Sequence, residues 1–295
     1  LNDRKVATLL WDMEKFYDNI SIPLLIQQGL ERGYPMVELA LGMQMHMAPR
    51  MLKAYESYHT VNLPANGIIA GCLQSTFFAR MFLFKIMEEN HHSISQPIQQ
   101  DVIYRYDRSY IDDIRQTRAC SKEHYLATIM VNAGSDLANN LISNRNVLSK
   151  KSTCVASSMS IAKATKNGFK QRGINISSAK VARDLGVMST GGKRRANTLL
   201  KSRIIAAWNR TIRIKILNSK EKKAGKLFNT GAWPQGTYGK EAMGMCPATI
   251  KQMVTMAANA VSGKAHGKCP TTLIWLGLGP QNDPRIKYCL DQLKM

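Results

Sequence analysis

Charge is spread along this chain so unevenly that the chain has to be read as two pieces. Residues 1–115 carry 11 Lys/Arg against 13 Asp/Glu, whereas residues 116–295 carry 30 against 7. Within residues 193–226 there are 12 basic side chains and a single acid, Glu221. A solvated helix face mixes signs to limit self-repulsion. A segment this one-sided suits a polyanion, either nucleic acid or an anionic membrane surface. The first piece, balanced at −2, has the carboxylates to hold cations.

With 295 residues, 44% of them hydrophobic, the chain can bury a substantial core. Its longest apolar stretches, such as Thr272 to Leu278, stop well short of the roughly 18 residues a membrane span needs. No basic-then-apolar leader opens it. These features predict an intracellular protein of nucleus or cytoplasm with no membrane partner. Cysteines at 72, 120, 154, 246, 269 and 289 include no CxxC pair, so thiols in a reducing compartment are expected. His266 and Cys269 lack two further ligands at suitable spacing and are read as structural or surface residues. Leu1 leads within a few residues into an apolar run, which reads as an internal piece of something longer.

Val6 to Trp11 reads as a buried strand ending at Asp12. Ser21 with Pro23 caps a helix that Gly33 stops, and a second helix covers Pro35 to Met47. Leu52 to Val61 is expected to be one strand, and the apolar run from Thr76 a buried helix to about Asn90. Val102 to Ile114 gives a hairpin centred on Asp112-Asp113, followed by a helix from Ser121 to about Leu141. Next come a strand at 152–156, a helix at 159–171, a strand at 180–187 and a break at Gly191-Gly192. Beyond it the pattern is helical and basic to Phe228, with a further helix at 247–260. The expected division is therefore a mixed layer domain at 1–190 and a basic helical one at 191–295.

Asp12 at a strand end and Asp112-Asp113 at a hairpin turn are carboxylates from separate elements. Mg²⁺ favours such hard oxygen donors and keeps positions open for substrate phosphates. An Asp-Asp pair alone is also common in ordinary turns. Five segments in order carry more. Asp12-Met13-Glu14-Lys15-Phe16-Tyr17-Asp18-Asn19-Ile20 resembles the first palm motif of reverse transcriptases of the non-LTR retroelement kind. Gly67-Ile68-Ile69-Ala70-Gly71-Cys72-Leu73-Gln74-Ser75 resembles the second, with Ile69 and Ala70 where Pro and Gln are usual, and Tyr110-Ile111-Asp112-Asp113 the third, the YxDD box. Leu148-Ser149-Lys150-Lys151-Ser152 is similar to the lysine-bearing fourth, and Ala182-Arg183-Asp184-Leu185-Gly186-Val187 to the primer grip. Tyr238-Gly239-Lys240-Glu241 resembles a stretch that often follows.

The resemblance implies an α+β polymerase palm, an antiparallel sheet backed by helices, followed by a helical thumb. It implies RNA-directed DNA synthesis with two Mg²⁺ ions, or Mn²⁺ in their place, on an RNA template, a DNA primer and deoxynucleoside triphosphates. Asp12, Asp112 and Asp113 would be the metal ligands. Lys151, or Lys150, would stand near the departing pyrophosphate. Tyr17, otherwise a core aromatic, would pack under the incoming sugar, with Tyr110 beside the substrate. Gly67 and Gly71 would let backbone approach the template and incoming base. The fingers, which bind the triphosphate in this family, would lie upstream of Leu1, with any endonuclease segment.

In the basic piece, Lys193, Arg194, Arg195, Lys201, Arg203, Arg210 and Arg213 are candidate phosphate contacts. Leu199, Leu200, Ile204, Ile205, Trp208, Ile212, Ile214 and Ile216 are expected to form the apolar inner face of the same helices. Rival expectations are a catalytically eroded remnant that only binds nucleic acid, and a different palm enzyme such as a nucleotide cyclase.

Overall fold

The computed structural model describes residues 4–60, 64, 66–93, 102–191, 196–262 and 266–293. In chain order the first elements are β1 (Lys5–Trp11), β2 (Met13–Glu14), α1 (Phe16–Asn19), α2 (Ile22–Glu31), α3 (Met36–Met47), β3 (Met51–Ala54), β4 (Ser57–Thr60) and α4 (Leu73–Ser93). They are followed by β5 (Val102–Tyr110), β6 (Asp113–Cys120), α5 (Glu123–Ser143), β7 (Val147–Leu148), β8 (Thr153–Ala156), α6 (Met159–Gln171), β9 (Ser177–Ala179), β10 (Val181–Asp184) and β11 (Val187–Thr190). The remainder is helical: α7 (Thr198–Lys220), α8 (Trp233–Thr237), α9 (Lys240–Met243), α10 (Pro247–Val261), α11 (Pro270–Leu278) and α12 (Pro284–Leu293). Among the described residues, no helix is long and apolar enough to cross a membrane.

The chain divides into two compact units, one of residues 1–182 and 190–193, the other of 183–189 and 194–295. In the first, five strands run in the order β5-β6-β1-β8-β9, antiparallel except for the β8–β9 pair. Ala7, Leu9 and Trp11 of β1 alternate onto one buried face, as a period of two requires, and the Trp11 ring meets Phe169 of α6 edge-on at 5.7 Å. The polar atoms there are satisfied. Trp11 Nε1 donates to Gln116 Oε1 at 2.9 Å, and Gln116 Nε2 donates to the Ala133 carbonyl of α5. Helix α6 starts where Ser158 Oγ accepts from Ile161 N, whereas Ser21 makes no such bond at α2 and Lys122, not Ser121, precedes α5. The α+β layer expected of this region is present.

Two expected single strands are hairpins. The 52–61 stretch turns back at Tyr55-Glu56, with Tyr55 at φ 54°, and the 180–187 stretch turns at Leu185-Gly186, both at positive φ. A two-residue connection needs left-handed backbone that its twist can match to the strands. Gly186 carried that signal; Tyr55 carried none.

In the second unit, α7 buries only Ala207, Thr211 and Ile214, against Trp233, Met253, Met256, Ala257 and neighbours. Ile205, Trp208, Ile212 and Ile216 are exposed, against the expected inner face. Spaced at three and four residues they form their own stripe beside the basic side chains. Lys240, nearly buried, is held by Asp291 at 2.9 Å and Glu241 at 3.0 Å and ties α9 to α12.

Candidate functional site

The register of three strands decides which carboxylates meet. β1 and β6 are antiparallel with Trp11 opposite Ile114, and β5 and β6 have Tyr110 opposite Asp113. Asp12, the next residue after Trp11, and Asp113, the residue before Ile114, therefore leave neighbouring strands at the same end of the sheet. Asp112 stands in the turn between Tyr110 and Asp113. The turn itself is Ile111-Asp112, and Ile111 adopts φ 57°. A β-branched side chain in that region is an outlier, at a cost of about 1–2 kcal/mol, which the two-residue connection imposes here as it does at Tyr55 and Leu185. Among the described residues, no three His, Cys, Asp or Glu side chains stand together closely enough to hold an ion by themselves.

Asp12 is gripped through its backbone. Ser149 N donates to the Asp12 carbonyl at 2.8 Å, and Ser152 Oγ accepts from Asp12 N at 3.1 Å. Ser152 N closes the turn onto Ser149 O at 3.0 Å, which leaves Lys150 and Lys151 exposed on the turn that clasps Asp12. The two serines do the clasping, a role the lysine-centred reading of this segment did not assign. Neither lysine is distinguished from the other by this arrangement.

Tyr17 lies on α1, and its phenol is held above its ordinary pKa by burial, by the Asp112 carboxylate and by Tyr110. Tyr17, Asp112 and Tyr110 are thus brought into electrostatic range of one another from two distant segments. The second motif docks on the first. Gly67 N donates to Ile20 O and Ile68 N to Tyr17 O, both at 2.8 Å. Gly67 has φ 85°, and a Cβ there would lie 2.8 Å from the Asp18 carbonyl oxygen. Its close approach is to the chain's own backbone. Gly71, at φ 89°, faces open space.

The Ile69 peptide is fixed at both ends, its N–H by Nδ1 of the buried His46 at 3.1 Å and its carbonyl by Ser75 Oγ at 2.6 Å. Burial first, and then Arg50, hold His46 below its ordinary pKa, which favours the neutral ring this acceptor role needs. Nothing in the sequence around His46 announces it, because its partner is 23 residues away on a loop.

Of the candidate phosphate contacts, Lys193, Arg194 and Arg195 lie outside the described residues. Lys201 and Arg213 are exposed on α7. Arg210 donates to the Gly231 carbonyl at 3.1 Å. Arg203 donates to the carbonyls of Gly186 and Tyr238 and lies 4.7 Å over the Tyr238 ring, while Tyr238 Oη donates to Leu185 O. Arg203 and Tyr238 thereby hold the tip of the Leu185-Gly186 hairpin, joining the fifth segment to the Tyr-Gly-x-Glu stretch within one unit.

No family model matches this sequence, and no curated protein matches it. Among solved structures, a telomerase from Candida albicans in complex with the TWJ fragment of telomeric RNA overlays at a TM-score of 0.36 with 12% identity, over 98% of this chain and 49% of that one. The chain thus spans about half the length of that telomerase.

Proposed function

We propose that this chain carries the catalytic carboxylates of an RNA-directed DNA polymerase of retroelement type, extending a DNA primer on an RNA template with deoxynucleoside triphosphates. The observation that supports the reading most is the strand register that puts Asp12 and the Asp112-Asp113 turn at one end of the sheet. Hard, anionic oxygens from two elements suit Mg²⁺, which is commonly bound by one or two carboxylates completed by substrate phosphates, so a closed three-carboxylate cage is not required. Two such ions, when bound, activate the primer hydroxyl and stabilise the leaving pyrophosphate.

The chain's own residues position the reactants. Asp12, clasped through its backbone by Ser149 and Ser152, and Asp112, in the turn that Ile111 opens at positive φ, would hold the ions. Tyr17, beside Asp112, limits the space for the incoming sugar. Lys151 or Lys150 supplies charge for the pyrophosphate. The one-sided basic face of α7, with Lys201 and Arg213, neutralises duplex phosphates.

The test is primed incorporation on an RNA template with Mg²⁺, read with Mn²⁺ binding by electron paramagnetic resonance in the presence of triphosphate. Asp12→Asn and Asp112→Asn should each abolish incorporation and weaken Mn²⁺ binding without unfolding the chain. Incorporation that survives in both variants rejects the assignment. That no three such side chains among the described residues are grouped to hold an ion favours one second reading, a remnant that binds nucleic acid without catalysis. Salt-sensitive duplex binding with no incorporation by the wild-type chain, alone or joined to a fingers segment, would select it.

A further inference from the structure

Three consecutive backbone amides of the second motif are each tied to a different part of the first unit. Gly67 N and Ile68 N donate to the Ile20 and Tyr17 carbonyls, both at 2.8 Å, and Ile69 N donates to Nδ1 of His46 at 3.1 Å. The first two bonds lash the loop to α1, which carries Tyr17, and the third lashes it to α3. The loop is therefore the strut between His46 and Tyr17. A peptide group is planar, so the Ile69 N–H and the Ile68 carbonyl turn as one. Releasing that N–H frees the plane next to the residue whose own amide holds Tyr17.

A histidine at this place costs stability that an apolar side chain would not. His46 is 0% exposed, and because Nδ1 accepts from Ile69, the ring proton sits on Nε2, which has no hydrogen-bond partner among the described residues. A buried donor left unpaired is destabilising, and each one calls for an explanation. Phe78 of α4 meets the imidazole edge-on with centroids 5.7 Å apart, and Arg50, the charged side chain that acts on His46, has only donors to offer. What the imidazole supplies, and Phe or Leu would not, is the acceptor for Ile69.

We propose that His46 is a positioning residue for sugar selection: through the Ile69 and Ile68 amides it fixes the backbone of Tyr17, and with it the place of the Tyr17 ring beside Asp112. The inference rests on the polymerase reading, in which Tyr17 limits the space for the incoming sugar. His46 acts from a helix that bears none of the other residues assigned to the site. Ser75 Oγ, at 2.6 Å from the Ile69 carbonyl, keeps the loop attached to α4. Loss of the His46 bond therefore loosens the loop and does not detach it. Small displacements of a positioned group suffice to change selectivity.

Three variants of the full chain test this. His46→Phe keeps a ring and removes the acceptor, His46→Asn keeps an acceptor near Nδ1, and Leu39→Ala weakens the core two turns earlier on α3 while leaving the bond intact. Two quantities are read, the ratio of ribonucleotide to deoxyribonucleotide incorporation and the Tyr17 phenol titration, each titration taken against the same protein carrying Tyr17→Phe. His46→Phe should raise the ratio about tenfold, the upper end of what one intramolecular hydrogen bond is worth, and should move the titration to lower pH. His46→Asn should restore both towards the wild type, and Leu39→Ala should move neither. An unmoved titration in His46→Phe overturns the link between His46 and Tyr17. Equal changes in Leu39→Ala and His46→Phe overturn it as well, because general softening would then be the cause. A moved titration with an unchanged ratio overturns the role in sugar selection. Should the wild-type chain incorporate nothing, alone or joined to a fingers segment, the polymerase reading falls and sugar selection with it, while the titration still decides whether His46 holds Tyr17.

Discussion

Arg118, only 1% exposed, donates from both terminal guanidinium nitrogens to the two carboxylate oxygens of Asp107 across the β5–β6 hairpin, with Nη2···Oδ2 at 2.8 Å. Arg105, directly opposite Arg118, approaches the same carboxylate at 3.5 Å. One acid therefore separates two guanidinium groups on the helix-facing side of the sheet. Asp107→Ala should cost about 3–5 kcal/mol, because it leaves buried positive charge uncompensated. Asp107→Leu with Arg118→Met should cost much less, because it removes both charges together. Urea unfolding of the two variants measures the difference, and similar losses in both would show that the pair is not buried as described.

Gly67 and Gly71 share a positive φ but not an environment. Gly71→Ala should cost only the backbone penalty of about 1–2 kcal/mol. Gly67→Ala should cost clearly more, because the new methyl group would displace the Asp18 backbone as well. Denaturant midpoints rank the two, and the opposite order would contradict the docking of the second motif on the first.

His46 ties stability to pH. Its folded pKa is below the ordinary 6.5, so its contribution is fully present above 6.5 and is lost as pH falls through the folded value, because the unfolded chain takes up the proton first. His46→Asn keeps an acceptor near Nδ1 and does not titrate. Between pH 7.5 and 5, the unfolding free energy of the variant should fall less than that of the wild type. Equal slopes would mean that His46 is not buried in its neutral form.

Tyr17 should report on Asp112. Because its folded pKa is raised, Tyr17 contributes stability fully below the unfolded value of 10.0 and loses it as pH rises through the folded value. Removing the carboxylate in Asp112→Asn should move the Tyr17 phenol titration, followed by ultraviolet absorbance against a Tyr17→Phe control, to lower pH. An unmoved titration would separate the two residues. In an active enzyme, Tyr17→Val should also raise the ratio of ribonucleotide to deoxyribonucleotide incorporation.

Local pattern settled those elements whose own residues carry the signal. The strand from Val6 to Trp11, the helix at 159–171 and a hairpin near Asp112-Asp113 were legible because periodicity and turn residues act within a few residues of one another, although the turn falls one residue earlier, at Ile111-Asp112, and its second strand runs on to Cys120. The charge asymmetry was legible for the same reason. Tertiary structure alone decided the rest. Alternation along β5 and β6 separates Arg105, Asp107 and Arg118 from Arg108 and Arg115, but only the pairing with β1 and the helices α5 and α6 fixes which set is buried and which meets solvent. On α7, apolar residues occupy two stripes, and packing against α8 and α10 selects the stripe of Ala207, Thr211 and Ile214 and leaves Trp208 outside. The hold of His46 on Ile69, and of Ser149 and Ser152 on Asp12, depends on closing long loops. Such contacts are set by which distant surfaces bury one another, a choice that no local window of sequence contains.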